Sequence, residues 1–340
     1  MSNEKSSVCV VTVTYGNRKK YLEQVINACI KEENIKKILV VDNASSCDKD
    51  FFDSFNTNKI DWIRLEENTG SANGYHVGIK EAYETSGCEF VWLLDDDNVP
   101  EKDALMILLS HYIDQLKHGK NKLFAFQSKR PSFSTQKELF ESMKYKKLYE
   151  NKNNFLGFSI HRVIHKIKKL ILKNNISNVP YLKDKLFVNY TQYGGLLLSR
   201  NLIQNIGFPK KTFFLYSDDG EYTYRITKQG GAICIIQRSI VQDVDLSWVN
   251  DGTYRSLFPA MEYNSDLKIY YSVRNQCYFQ KNFLVQNNLV FLFNGLLYVF
   301  ILFIYSCISF KFKRFGLILT AIKDGLTGKL GKNKKYSFLL

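Results

Sequence analysis

Asp95, Asp96 and Asp97 follow the unbroken apolar run Phe90-Val91-Trp92-Leu93-Leu94, and Asn98 closes the cluster. Three adjacent carboxylates are costly to hold in one cleft. Two like charges about 4 Å apart repel by roughly 4 kcal/mol at an effective dielectric near about 20. A divalent cation removes most of that cost, because hard cations prefer carboxylate oxygens, and such a cation in turn holds a diphosphate. A strand ending in a solvated acidic turn is the plainer alternative. A second cluster repeats the pattern: Phe213-Phe214-Leu215-Tyr216 runs into Ser217-Asp218-Asp219-Gly220-Glu221. Tyr222 to Gln229 reads as helix, so these acids stand at a helix N-terminus, where negative charge is favoured. An N-cap would account for one of them. The spare carboxylate is a candidate general base.

The elements that would position these groups alternate between strand and helix. Val8 to Tyr15 is rich in β-branched residues and reads as a central strand, broken by Gly16-Asn17. Tyr21–Cys29 has helical spacing, with Leu22, Val25, Ile26 and Cys29 on one face. Lys37–Val41 and Ile60–Leu65 are further strands, ending near Asp42 and Asn68. Asn68-Thr69-Gly70-Ser71-Ala72-Asn73-Gly74 turns into a helix over Tyr75–Thr85, and the acid-tipped strand follows. Such alternation implies right-handed βαβ units and a parallel sheet. Thr14, Asp42, Asn68 and Asp95 then gather along one carboxyl edge, where ligands bind in open α/β sheets. Asp42 could accept from a nucleobase, or close an Asx turn. Gly70 and Gly74 would let backbone approach a ligand, or simply shape a loop. Neither a Walker lysine motif nor Gly-x-Gly-x-x-Gly is present. Beyond Pro100 a helix is expected from Lys102 to about Leu116, a strand at Leu123–Gln127, and an apolar strand after the Gly194-Gly195 turn.

The chain has 340 residues and a net charge of +14. It is long enough for one large domain or two. A basic excess points to nucleic acid, an anionic membrane surface or an anionic substrate. The seven cysteines form no Cys-x-x-Cys, which argues against a disulfide framework or zinc ribbon and favours a reducing compartment. The N-terminal residues carry no signal-peptide pattern.

The motifs, in order, resemble one family. Val-Thr-Val-Thr-Tyr-Gly-Asn, Val-Asp-Asn-Ala-Ser, Asn-Thr-Gly-Ser-Ala-Asn-Gly, Leu-Leu-Asp-Asp-Asp-Asn, Gly-Gly, Ser-Asp-Asp-Gly-Glu-Tyr and Tyr-Tyr-Ser-Val-Arg-Asn are similar to inverting family-two glycosyltransferases of the GT-A fold. Among these the chain looks closest to bacterial galactofuranosyl- and rhamnosyltransferases of surface polysaccharide synthesis. The likeness covers about Val8 to Tyr278, and Lys323–Lys332 also resembles the ends of such enzymes. It implies an α/β fold with a mixed, mainly parallel sheet and helices on both faces, followed by a C-terminal hydrophobic helical region. It implies a catalytic domain over 1–280, with a nucleotide-sugar and metal half over 1–127, a variable basic insertion over 128–185 and an acceptor half over 186–280.

The resemblance also implies roles. Thr14, Tyr15 and Asp42 would hold the donor nucleoside, and Asn17, Asn68, Gly70, Gly74 and Asp96 would line the donor site. Asp95 would sit near ribose and metal. Asp97 would ligate Mn²⁺ or Mg²⁺ on the diphosphate. Asp219 would be the base; Asp218 and Glu221, with Gly194 and Gly195, would position the acceptor. Galactofuranosyltransferases add a metal-binding histidine on a later strand. Here that stretch reads Ile240-Val241-Gln242-Asp243-Val244-Asp245 without one, and Asp243 is the candidate substitute. The donor sugar is expected to be galactofuranose, with rhamnose as the alternative, and the acceptor a glycan or lipid-linked glycan.

Two segments suggest a membrane surface. Ile160–Lys173 sets Ile160, Val163, Ile164, Ile167, Leu170 and Ile171 against basic residues, as a lipid-lying or an ordinary surface helix would. Within the 281–340 region, Leu289–Phe310 is long and apolar enough to cross a bilayer and is followed by Lys311, Lys313 and Arg314. One crossing cannot put both that basic flank and a nucleotide-sugar site inside. An in-plane or re-entrant segment at the cytoplasmic face of the cell membrane is therefore favoured over a span or a buried helical pair. No nucleic-acid motif is present, so nucleic acid is not expected as a partner; a homo-oligomer is compatible with the sequence.

Overall fold

The computed structural model describes residues 6–117, 123–132, 136, 140, 152–164, 184–246, 259–262 and 265–336. The chain divides into two compact units. The first comprises 1–141, 182–211 and 218–250, and the second 142–181, 212–217 and 251–340. The helix holding Tyr271 to Asn275 belongs to the second unit. Most of the 128–185 insertion, and Ile160–Lys173 beyond residue 164, lie outside the described residues.

In the first unit, β1 (Val8–Gly16), β2 (Ile35–Ser45), β3 (Ile60–Leu65) and β4 (Phe90–Asp95) form parallel pairs in the order β3-β2-β1-β4. Between them run α1 (Lys19–Ile30), the short α2 (Lys49–Asp53) and α3 (Gly70–Thr85). After β5 (Asn98–Pro100) and α4 (Ala104–Lys117) come β6 (Phe124–Lys129), β7 (Lys185–Val188), β8 (Leu196–Ser199), α5 (Arg200–Ile206), α6 (Asp218–Lys228) and β9 (Ala232–Asp243). The sheet continues from β4 through β8, β6 and β9 to β5, with β7 also on β9. β8 is antiparallel to β4 and β6, and β6 runs parallel to β9. The apolar runs of β1 and β4 are buried along nearly their whole length, as a parallel strand covered on both faces requires. Leu22, Val25, Ile26 and Cys29 turn inward on α1, as their spacing predicts.

Two boundaries differ from the sequence reading, both for local reasons. α3 begins at Gly70 rather than Tyr75, because Gly70 at φ +80° makes the turn and its N–H donates to the Asn68 side chain. At Gly74 a Cβ would strike Val13 Cγ1 at 2.5 Å, so α3 packs closely on β1 there. The helix expected from Tyr222 starts at Asp218, which brings all three acids into its first turn.

The second unit packs α7 (Asp266–Phe279), α8 (Asn288–Ser309) and α9 (Phe312–Leu326) around Tyr270, Tyr271, Phe291, Leu302 and Ile318. Arg274 is buried and donates to the carbonyls of Phe213 and Gly331. Asn275 donates to the carbonyls of Phe213, Leu215 and Tyr216. These two side chains hold the irregular segment that leads into Asp218.

Candidate active site

The carboxyl ends of β1, β2, β4 and β9 carry Thr14, Asp42, Asp95 and Asp243, so one edge of the first unit's sheet collects the acids. The three consecutive aspartates diverge. Asp96 turns back and is buried: Thr14 Oγ1 donates to its Oδ2 at 2.8 Å, and Arg18 Nε donates to both its oxygens at 2.8 and 2.9 Å. Burial pushes its carboxyl up to about 6, against the pull of Arg18. Asp96, expected to line the donor site, anchors Arg18. The same guanidinium reaches Asp97 Oδ2 at 3.2 Å and Asp245 Oδ2 at 2.6 Å.

Asp95 is the most open of the three. Its Oδ1 accepts from Tyr75 Oη at 2.7 Å and its Oδ2 from Arg130 Nη1 at 3.0 Å. Arg130 is nearly buried and also grips Asp243, to which Ser132 Oγ donates as well. Asn98 Nδ2 adds bonds to Asp243 at 2.8 Å and Asp97 at 3.2 Å. Gly194 is forced at this point, because a Cβ there would collide with Asn98 Oδ1 and Arg130 Nη1. Gly195 sits at φ +80° against Ser128.

The fit of a divalent cation can be judged from these partners. Among the described residues no group of three or more His, Cys, Asp or Glu converges to hold a metal. Asp243, the candidate replacement for the missing histidine, has both oxygens engaged by Arg130, Ser132 and Asn98, while Asp95 meets Tyr75 and Arg130 and Asp97 meets Asn98 and Arg18. Burial and the neighbouring Asp95 and Asp96 charges push Asp97 up despite Arg18 and Arg130. Two hard oxygen donors whose mutual repulsion Arg130 and Arg18 offset only in part suit Mn²⁺ or Mg²⁺ completed by phosphate and water oxygens.

At the helix end, Asp218 is buried, with Oδ1 at 3.5 Å from the donor Ser71 Oγ and Oδ2 without a hydrogen-bond partner among the described residues. Asp219 Oδ1 accepts from its own Gly220 N–H at 2.6 Å. Desolvation raises both carboxyls above the ordinary range; Asp219 raises Asp218 further, while Asp95 raises Asp219 and Arg130 lowers it. Helix α3 touches both clusters, Ser71 Oγ donating to Asp218 and Tyr75 Oη to Asp95. Aromatic rings join them: Tyr75 and Tyr193 lie 4.1 Å apart, and Tyr193 and Tyr222 6.2 Å.

Glu221, expected to position the acceptor, is braced by two cations. It is buried and pairs with Arg225 at 2.6 Å and Lys210 at 3.0 Å, while Arg225 holds the carbonyls of Ile206 and Phe208. Asp42 is fully buried too; its Oδ1 accepts from Ser45 N–H at 2.6 Å and its Oδ2 from Arg64 Nη1 at 2.5 Å. Its Oδ1 bond reaches the backbone three residues on, one further than an Asx turn, and its Oδ2 holds Arg64, whose side chain is 46% exposed. Asn68 meets Asn43, whose Oδ1 accepts from Thr69. Tyr15 and Asn17 are exposed near Arg18 and Ser46. Arg18, Arg64 and Arg130 were not legible from sequence. Their one signal is position, at or just beyond the ends of β1, β3 and β6.

Comparison with known proteins fits this geometry. Residues 9–168 match the family model of Glycosyl transferase family 2. The mixed, mainly parallel sheet with its helices is the GT-A fold. Among particular structures, one titled GalNAc-T7 with UDP, GalNAc and Mn²⁺ is similar at a TM-score of 0.48 and 12% identity, over 71% of this chain and 44% of that one. S. aureus TarS 1-349 in complex with UDP-GlcNAc is similar at 0.46 and 17%, over 80% of this chain and 65% of that one. The chain thus spans less than two thirds of each of these relatives. No curated protein matches the sequence.

Proposed function

We propose that this protein is an inverting glycosyltransferase, moving a sugar from a nucleotide-diphosphate donor to a hydroxyl of a glycan or lipid-linked glycan. One observation carries the reading: a single helix, α3, bonds both acid clusters, Tyr75 Oη donating to Asp95 at 2.7 Å and Ser71 Oγ to Asp218 at 3.5 Å. The family match over residues 9–168 supports the class.

In the proposed reaction Asp219 is the catalytic base. The acceptor oxygen attacks the anomeric carbon in line, its proton passes to Asp219, and the bond to the diphosphate breaks on the opposite face. That sequence inverts the anomeric centre. A carboxylate is a weak base near neutrality, so holding the hydroxyl in line contributes much of the rate. The raised pKa of Asp219 brings it closer to the working pH. Asp95 and Asp97 would hold Mn²⁺ or Mg²⁺. Such a cation, when bound, stabilises charge on the departing diphosphate. Arg130 keeps Asp95 turned toward the cluster, and Arg18 does the same for Asp97. Thr14, Tyr15 and Arg64 mark the proposed nucleoside end.

The favoured donor is UDP-galactofuranose, on the Asp-Asp-Asp-Asn and Asp-Asp-Gly-Glu motifs, and dTDP-rhamnose is the alternative. Use of nucleotide sugars makes the cytoplasmic face of the cell membrane the proposed place of action. A panel of nucleotide sugars tested with Mn²⁺ for protection against thermal unfolding checks the class and the donor together. Protection by one nucleotide sugar is expected. Uniform failure across the panel contradicts the proposal.

A further inference from the structure

Helix α8 is long and apolar enough to cross a membrane, yet a third of its most apolar stretch is buried in the second unit. The buried side is specific. Asn294 Nδ2 donates to the Asn153 carbonyl at 2.8 Å, and Asn294 Oδ1 accepts from Ile160 N–H at 3.1 Å. Gly295 lies so close to Phe155 that a Cβ would meet its ring at 2.9 Å. Tyr305 Oη donates to Glu262 at 2.6 Å, and Lys311, just past the helix, pairs with the same carboxylate at 2.7 Å. The opposite side is bare: Leu289, Phe293, Leu296, Phe300, Phe303 and Ile308 recur every three to five residues and are all exposed. Phe310 and Phe312 extend that surface at the turn into α9. Val163 and Ile164 are exposed on the helical turn that begins at Ile160, where Asn294 holds it.

Charge follows the same region. From Lys281 to Tyr336 there are nine lysine or arginine residues and one carboxylate, Asp324. Asp324 is buried and accepts from Tyr270 Oη at 2.6 Å. Lys313 and Lys323 are exposed on α9 beside the exposed Phe312 and Leu319. Lys329, Lys332, Lys334 and Lys335 continue beyond it.

We propose that the outer face of α8, extended by α9, seats in the plane of an anionic lipid surface. An apolar stripe with a lysine flank matches the two halves of such a surface, acyl chains and acidic headgroups. A crossing is disfavoured by the same packing. To span, α8 would carry Asn294 to hydrocarbon depth, together with the buried Arg274 and Asp324 of the helices it packs among, and ionisable groups there are costly. In-plane seating leaves all of them in protein.

The test uses the full chain with vesicles of phosphatidylcholine alone or with added phosphatidylserine. Binding to the anionic vesicles is expected, and the Leu296→Asp/Phe300→Asp variant is expected to lose it by at least about tenfold. Both positions are exposed, so the melting temperature should hold. Should that variant fail to fold, Lys313→Glu/Lys323→Glu gives the second reading: weaker binding to anionic vesicles, unchanged melting. Depth is read by brominated-lipid quenching of Phe293→Trp, Phe300→Trp and Ile308→Trp, each against wild type. One shallow depth at all three supports seating in the plane. A deep middle position means a span and overturns the proposal. Equal binding to neutral vesicles also overturns it, as does no vesicle binding with a dimer that the Leu296→Asp/Phe300→Asp variant breaks.

Discussion

Arg130 holds Asp95 by a 3.0 Å ion pair while the same guanidinium grips Asp243, so one buried cation ties the tip of β4 to the end of β9. Its charge also lowers the pKa of Asp219, on α6. Removing it leaves Asp243 buried and unpaired by charge. Arg130→Met should therefore destabilise the protein by about 3–5 kcal/mol, the usual cost of breaking one side of a buried pair. Urea unfolding measures this. Arg130→Lys should recover part of the stability and little of the transfer rate, because an ammonium cannot reproduce the forked geometry.

Gly194 tests the same junction from the backbone side. Gly194→Ala would drive a Cβ into Asn98 Oδ1 and Arg130 Nη1. The expected result is lower stability together with lower transfer, read by thermal unfolding and turnover. Gly230→Ala meets no neighbour but occupies φ +81°, so it should cost stability and spare turnover.

The pH dependence follows from Asp219. It acts as a base only when deprotonated, and burial raises it to about 6. Activity should then rise with pH and fall on the acid side near about 6, above the ordinary carboxylate limb near about 4. A profile of kcat/KM against pH reads that limb in the free enzyme.

Metal binding carries a linked prediction. Asp97 is raised to about 7 by burial and by Asp95 and Asp96, so the folded state favours its protonated form. Without metal, its contribution to stability is fully present below the unfolded carboxylate pKa, near about 4, and is lost as pH rises through the folded value. Mn²⁺ binds the deprotonated form. The rise in melting temperature on adding Mn²⁺ should be larger at pH 8 than at pH 5, and Asp97→Asn should abolish it.

Much of the first unit was legible because its strands are long, apolar and bounded by turn residues. β3 matches its expected span, and β1 and β4 come within a residue of theirs. The acids at their ends were found for the same reason. Individual roles were harder to read. Asp42, Asp96, Glu221 and Asp243 look like ligands in a one-dimensional pattern, but each meets a cation from another segment: Arg64, Arg18, Arg225 and Arg130. Apart from Arg225, four residues along the same helix, those pairings cross long stretches of chain, and no local spacing announces them. Gly74 is ambiguous for a similar reason. Its neighbour Val13 lies on another element, and close helix-to-strand packing leaves the same glycine as close ligand approach.

The central claim is that Asp219 takes the acceptor proton beside the cluster at the tip of β4. The most direct measurement is single-turnover sugar transfer by Asp219→Asn, alongside donor binding by the same protein. The account predicts a loss of transfer of at least about a hundredfold, the usual scale for general base catalysis, with donor affinity nearly unchanged. Transfer at the wild-type rate by Asp219→Asn would contradict it.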